Sequence, residues 1–309
     1  MKPGPKTKIR EIGEQLDRGV FPVIYNRGIV RPNGAPGSSS IYGQEMRHEA
    51  AGSSRPATGP WQWSTRGKGA PGKPGPARRS RSAGAAAPVV SAQLWSAYGE
   101  GLTDCARAYP TLEAWDSARE MWLMAESEIV GGLGRTALFL LRLPYSRTLR
   151  VQGWGFWKTA VSRTWIGPRH TNFPDGSICA FEMADGTWKP GDSPVALLDL
   201  YTAWAAKHLH LEWFGRWPGF QSVPHPAERI CEIRDDEFCG CGNSTHLYGD
   251  CCKAVDLREM TSVKMIDFWG FQRRHPPLEV VEAAWRQEPP HLSPELQPIS
   301  SPIQTAAAA

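Results

Sequence analysis

The chain has 309 residues, including 31 glycines and 27 prolines, and 35 basic against 31 acidic side chains leave a formal net charge of +4. No stretch approaches the roughly 18 apolar residues of a membrane-spanning helix: the most apolar one, Thr136 to Leu141, is cut by Arg142 and Pro144, and the N-terminus lacks the apolar core of a signal segment. Seven cysteines, four of them packed between Cys239 and Cys252, do not have the spread of a secreted disulfide framework, so the expectation is a cytoplasmic chain that binds a metal.

Residues 1–90 are basic and rich in Gly, Pro, Ser and Ala, with runs such as Gly69 to Pro76 and Ala77 to Ala87, and are expected to be a disordered tail. Ile9 to Leu16 has the spacing of a short helix and Val20 to Tyr25 that of a short strand, each without a visible partner. The tail lacks aromatic interleaving and a compact basic face, so specific nucleic-acid binding is not expected.

Order is expected from about Val89, in a domain over residues 91–220. A helix is predicted from Thr111 to about Val130, because Trp115, Ala118, Trp122, Ala125 and Ile129 recur at three- and four-residue steps and Gly131, Gly132 and Gly134 follow. Strands are predicted at Thr136–Leu143, Thr148–Trp154 and Thr159–Trp165. The irregular stretch Gly167 to Pro190 is too long for a routine connection. A second helix, Val195 to Phe214, starts after Pro194 with Asp192 or Ser193 as cap and stops at Gly215. This order gives an α+β fold, a small antiparallel sheet with flanking helices and one covered face. A linker and metal motif (221–256) and a short helix, Pro277 to Arg286, within a final segment (257–309) complete the chain.

Cys239 and Cys241, then Cys251 and Cys252, supply four thiolates in a short segment, the soft tetrahedral set that zinc favours. Four protein ligands leave no position for water, so a structural role is expected; a redox pair or a vicinal disulfide is the alternative. Gly240 and Gly242 allow tight turns between sulfurs, and Lys253 can offset thiolate charge. The segment Cys239-Gly-Cys-Gly-Asn-Ser-Thr-His-Leu-Tyr-Gly-Asp-Cys-Cys252 resembles the SEC-C zinc motif, with Tyr248 three residues before the second cysteine pair. It has one extra loop residue around Thr245 to Leu247, and Cys252 where the Sec translocase ATPase has histidine. The resemblance implies a zinc knuckle that docks protein partners.

Cys179 lies in the irregular stretch, His170-Thr-Asn-Phe-Pro-Asp-Gly-Ser-Ile-Cys179. Beside Ile178 and Phe181 it fits a packed core position; with Asn172 and His170 close in sequence it also fits a nucleophile, since an amide can stabilise the oxyanion of acyl transfer. Asp175 and Asp185 flank the thiol and could orient an incoming amine. Cys105 and Cys231 stand alone and read as bystanders. The stretch resembles the catalytic region of ubiquitin-conjugating enzymes, which reads His-Pro-Asn, Gly-x-Ile-Cys, Trp-x-Pro and then a helix. Thr171 stands where that family has proline. Asp175 to Cys179 and Trp217-Pro-Gly219 are similar to the conjugating-enzyme-like proteins of bacterial antiphage operons, the CBASS type. The resemblance implies Cys179 as the thioester-forming residue, Asn172 as oxyanion stabiliser and His170 as a loop-shaping residue. It also implies an activating enzyme, a modifier and a target as partners. A non-catalytic adaptor of the same fold, whose zinc motif docks a partner, is the competing expectation.

Overall fold

The structure is a computed structural model and describes residues 3–25, 27–30, 91–181, 186–242, 246–271, 274–290 and 296–299. Its chain order is α1 (Pro5–Asp17), β1 (Val23–Tyr25), β2 (Gly28–Val30), α2 (Ala92–Ala108), β3 (Glu113–Asp116), β4 (Glu120–Ser127), β5 (Thr136–Pro144), β6 (Gln152–Lys158), β7 (Arg163–Trp165), α3 (Pro194–Phe214), α4 (Pro226–Glu232), α5 (Lys253–Glu259), α6 (Ser262–Phe271), α7 (Leu278–Arg286) and β8 (Gln297–Pro298). This is a mixed α+β fold. Its main sheet runs β7-β6-β5-β4-β3-β8, antiparallel at every pairing, and β1-β2 form a separate antiparallel hairpin.

The helix expected from Thr111 to Val130 is instead a hairpin, with Trp115 opposite Trp122 and Ala114 opposite Leu123. The turn is made by Ser117, whose hydroxyl accepts the N–H groups of Arg119 (3.3 Å) and Glu120 (3.2 Å). A serine that holds its own turn in this way competes with helix. The apolar run of β4 serves two cores by strict alternation. Met121, Leu123 and Ala125 face one, and Trp122 and Met124 face the other. A strand buried on both faces has no polar side to reveal its period, so its spacing also fits a helix.

Both faces of the sheet are covered, a correction to the single covered face expected. On one side lie α1, α2 and α3; on the other Val280, Ala283 and Ala284 of α7 pack against Trp122, Leu138, Leu140, Trp154 and Phe156. Trp122 and Trp154 stack there with centroids 6.0 Å apart. The strand expected at Thr148–Trp154 lies four residues later. Gly153 and Gly155 mark the reason, since a Cβ on Gly153 would stand 2.3 Å from the Tyr201 ring and one on Gly155 2.9 Å from Trp204. These glycines let α3 lie directly on the strand.

Helix α3 matches its expected limits. The Ser193 hydroxyl accepts the Val195 N–H (3.3 Å), Pro194 occupies the first turn, and Gly215 closes the helix in the left-handed region. Helix α2 was not anticipated, although Leu94, Tyr98, Leu102 and Cys105 form its buried stripe and Ser91 caps it.

The N-terminal expectation is corrected for residues 5–30, whereas residues 31–90 lie outside the described residues. Ile9, Ile12 and Leu16 of α1 are buried in the main core. Gly13 meets α3 so closely that a Cβ would stand 2.4 Å from the His210 ring. Asp17 pairs with Arg216 (2.5 Å) and accepts the Gly219 N–H (2.7 Å). The β1-β2 hairpin attaches through the Ser127 hydroxyl, which donates to the Arg27 carbonyl (2.8 Å). Among the described residues no helix is long and apolar enough to cross a membrane. Because Ile9 is fully buried, Ile9→Ala should lower the unfolding free energy by about 2–4 kcal/mol in urea titrations. A change within about 0.5 kcal/mol would mean that α1 is detached from the core.

Candidate functional site

The four-cysteine centre is built on a short hairpin. Phe238 bridges Leu247, the Cys239 N–H donates to the His246 carbonyl (2.8 Å) and the Tyr248 N–H to the Glu237 carbonyl (2.8 Å). The Cys251 N–H then folds back on the Tyr248 carbonyl (3.2 Å), which brings the second pair of sulfurs under the first. The four sulfurs lie within 4.8 Å of one another, with Cys241 to Cys251 and Cys251 to Cys252 both at 3.7 Å. A disulfide needs about 2.05 Å, so a vicinal disulfide is not formed. Thiolates about 2.3 Å from a tetrahedral zinc lie about 3.8 Å apart, and the two shortest separations match that edge. The cluster is therefore able to hold a metal ion and is consistent with zinc.

Cys239 is buried, Cys241 exposed and the other two half-buried; His246 is exposed beside them. Without a cation these thiols resist ionisation. Burial, then contact with Cys241, pushes Cys251 up to about 11, and Cys252 lies higher still for the same causes. A metal reverses this by taking up the thiolate charge and releasing protons.

Lys253, the expected charge partner, is bound to both carboxylate oxygens of Asp235 at 2.6 Å. The cation that faces the sulfurs is Arg229. It is held by Asp256 (2.8 and 2.6 Å) and donates to the carbonyls of Val223 (3.0 Å) and Pro224 (2.7 Å). Burial opposes its charge, but Asp256 and then the thiols of Cys252 and Cys239 outweigh that and raise its pKa above the usual arginine value. Gly240 has a steric role: its carbonyl accepts the Val223 N–H (2.8 Å), and a Cβ there would stand 2.6 Å from that nitrogen.

The sequence places His170, Asn172 and Cys179 together, and the structure joins them in one tight hairpin docked on β6. Thr171 bridges Ile178, the Cys179 N–H donates to the His170 carbonyl (2.9 Å), and the Ile178 N–H to the Gly153 carbonyl (2.7 Å). Cys179 is half-buried, close enough to Tyr201 for their charges to interact.

The Asn172 amide nitrogen lies 3.0 Å from the Ile178 carbonyl and 3.2 Å from both the Ser177 carbonyl and its hydroxyl. It is one peptide unit from the thiol residue, yet both its N–H groups are engaged in holding the hairpin shut. Asp175 is also committed, accepting from the Ser177 N–H (2.9 Å) and from Gln152 (2.5 Å). Asp185 lies outside the described residues.

His170 sits at φ 50°. Its ring Nε2 donates to the Gln221 side-chain oxygen (3.0 Å), and the ring lies 4.5 Å from the Trp217 centroid. Burial, then the Arg169 charge, holds its pKa well below the ordinary value, so the ring is neutral. Trp217, which carries part of the sequence resemblance, and Trp188 are buried anchors: Trp188 donates to the Ser193 carbonyl (3.0 Å) and the Trp217 N–H to Glu237 (2.7 Å). Cys105 is buried, with its thiol pushed up to about 12 by burial and then by Asp199 and Asp104, and Cys231 is on the surface of α4.

Sequence reasoning missed the residues that connect the two sites. Arg169 and Glu237, with side chains 6% and 0% exposed, form a two-pronged buried ion pair. Gln221 accepts from Arg169 (2.9 Å) and His170 and donates to the Phe238 carbonyl (2.7 Å). His208 of α3 donates to the Arg169 carbonyl (2.8 Å). Nothing in the local sequence of Arg169 or Glu237 announces a partner 68 residues away.

Compared with known proteins, the chain matches no family model, no curated protein and no solved structure. Fold and site together define a mixed α+β protein with antiparallel sheets, carrying a four-cysteine cluster able to hold a metal ion.

Burial, resisted by the hydrogen bond to the Arg169 carbonyl and reinforced by the Arg169 charge, lowers the His208 pKa to about 3. An unfolded histidine titrates near 6.5. Below that pH the unfolded chain binds the extra proton, so the stability due to neutral His208 is complete above about pH 6.5 and is lost as pH falls toward 3. His208→Gln, which keeps a donor for that carbonyl, should remove up to about 1.4 kcal/mol per pH unit from the acid limb of the stability profile. Urea unfolding from pH 7 to 4.5 measures the difference, and parallel profiles for the two proteins would contradict it.

Proposed function

We propose that the protein is a cysteine-dependent acyl carrier of the ubiquitin-conjugating-enzyme-like kind, with Cys179 as the thiol that is loaded. The observation that carries this reading is the half-exposed Cys179 at the end of a fixed hairpin, with the Asn172 amide one peptide unit away. The thiol lies in an irregular segment that is followed by α3, and the resemblance likewise has a helix after its cysteine. The four-cysteine centre, by its resemblance to SEC-C motifs, holds zinc in a closed shell and has a structural role.

The chemistry needs only this chain's thiol and its surroundings. The Cys179 thiolate attacks the carbonyl carbon of a thioester or adenylate on a partner; the new S–C bond forms and the partner's leaving group departs. An amine, such as a lysine of a target protein, then attacks the same carbon, the N–C bond forms, the Cys179 thiolate leaves and the amine proton passes to solvent. Each tetrahedral intermediate carries an oxyanion, which a donor amide stabilises. Asn172 supplies that donor by releasing the Ile178 or Ser177 carbonyl as the acyl group arrives, in line with catalytic hydrogen bonds that form only in the loaded complex. Neutral His170 keeps the hairpin in place and takes no proton. The same resemblance suggests a cytoplasmic setting in bacterial antiphage defence, with an activating enzyme, a protein modifier and a target as partners.

One observation favours a second reading. Both Asn172 N–H groups are already satisfied, as expected of a non-catalytic adaptor that keeps the hairpin for its shape. Incubation with an activating enzyme, its modifier and ATP separates the two. The carrier forms a thiol-reducible adduct that Cys179→Ala abolishes, and Asn172→Ala transfers from that adduct to amine about 10²- to 10³-fold more slowly. No adduct, or an adduct that survives Cys179→Ala, excludes the carrier and leaves the adaptor.

A further inference from the structure

The SEC-C resemblance suggests a docking module at the end of a linker, but the packing around the four cysteines is of another kind. Residues 221–237, expected as linker, hold α4 and Glu237 and are packed on the body of the protein. Three hydrogen bonds, joined by covalent links, lead from the cluster to the thiol residue. Cys239 adjoins Phe238, whose carbonyl accepts from Gln221 (2.7 Å); Gln221 accepts from the His170 ring (3.0 Å); and the His170 carbonyl accepts the Cys179 N–H (2.9 Å).

The Arg169–Glu237 pair runs beside this path. Glu237 lies two residues before Cys239 and also accepts the backbone N–H groups of Trp217 (2.7 Å) and Arg234 (3.3 Å). A second clamp closes over the hairpin's far side. Arg274 donates to the Pro168 carbonyl (3.2 Å) and Glu232 (2.6 Å), pairs with Glu228 of α4 and lies 3.8 Å over the Phe173 ring. Phe268 of α6 meets Phe173 edge-on (5.9 Å) and stacks on His225 (5.0 Å).

Apart from these contacts and the Arg229–Asp256 and Lys253–Asp235 pairs, the hairpin that carries the cysteines has only a small core. Its own apolar cluster is Val223, Ile233, Cys239 and Tyr248, flanked by Cys251 and Cys252. A unit this small depends on its metal for folding energy. When the metal leaves, Glu237 and the Phe238 carbonyl lose their fixed positions. Arg169 is then a buried charge without its carboxylate, a state costly enough to force rearrangement. The groups that rearrange first are Arg169 and its neighbour His170, whose carbonyl accepts the Cys179 N–H.

We infer that the four-cysteine centre is the positioning element of the Cys179 loop, so that metal occupancy sets the reactivity of Cys179. This rests on Cys179 as the reactive thiol but not on what it is loaded with. The acyl carrier would then be competent only when metal-loaded, and Arg169, Glu237 and Gln221 are positioning residues that act through the loop.

The test uses the full chain and needs no activating enzyme or modifier. Metal content is measured by elemental analysis, with one zinc per chain expected. The rate of Cys179 alkylation by iodoacetamide is followed by site-resolved mass spectrometry in the zinc-loaded protein and after chelation. Buried Cys105 serves as an internal reporter of global unfolding. The inference predicts that chelation changes the Cys179 rate at least about fivefold while Cys105 stays protected. Glu237→Gln with its zinc retained should produce the same change, and chelating that variant should add little, because both act on one link. Should Glu237→Gln fail to fold, Gln221→Ala and the chelated wild-type chain carry the test.

Equal Cys179 rates with and without zinc, or exposure of Cys105 in step with Cys179, overturn the inference. The two claims fail separately. Coupling in a protein that never forms the thioester sinks the carrier and keeps the inference. A thioester formed equally well after zinc removal, with unchanged alkylation, sinks the inference and keeps the carrier.

Discussion

The buried pair of Arg169 and Glu237 is the contact on which the arrangement of the rest depends. An ion pair taken out of water gains nothing by Coulomb attraction alone, because desolvating both charges costs several kcal/mol. It persists where every remaining polar group around it is satisfied. Here Glu237 accepts from Arg169 and from the Trp217 and Arg234 N–H groups, and Arg169 gives another donor to Gln221. The Arg169 guanidinium also lies 5.3 Å over the Trp217 ring. The pair thus fixes in one place the end of the sheet, the segment after α3 and the cysteine hairpin.

Two other buried arginines repeat the device. Arg229 and Asp256 join α4 to α5 behind the cysteines, and Arg274 reaches both Glu228 and Glu232. The body relies chiefly on burial instead, because its sheet carries an apolar core on each face. The protein therefore divides its means of cohesion. Burial of aromatic and aliphatic side chains holds β3 to β7 between helices. Charge pairs hold the smaller cysteine unit, whose apolar residues are few and whose four-cysteine cluster is able to hold a metal ion.

What could be read from the sequence follows the same division. The four-cysteine cluster was legible because its chemistry is local: four soft donors lie within fourteen residues. Helix α3 was legible through Ser193, Pro194 and Gly215, a start and a stop that act within one turn. The hairpin Glu113–Ser127 was misread as a helix because β4 is buried on both faces, and the one local clue was the turn at Ser117. Strand β6 was displaced because Gly153 and Gly155 resemble turn residues until Tyr201 and Trp204 are seen lying on them. The N-terminal helix was recognised, but its partner, α3, is nearly 200 residues away. His170, Asn172 and Cys179 fell together because ten residues cannot carry them far apart. What the sequence could not convey is that Asn172 is already satisfied and that His170 is held by Gln221, since both facts arise only after folding.

The cysteine unit and the thiol-bearing loop are joined through Arg169 and Glu237. A double-mutant cycle in urea unfolding of the zinc-loaded chain, with Arg169→Leu, Glu237→Leu and both together, tests this link most directly. Each single substitution leaves a buried charge unpaired and should cost about 3–5 kcal/mol, while the double substitution costs clearly less than their sum. Single effects that add to within about 0.5 kcal/mol would show that the two residues do not act as a unit, and the account of a coupled centre and loop would be wrong.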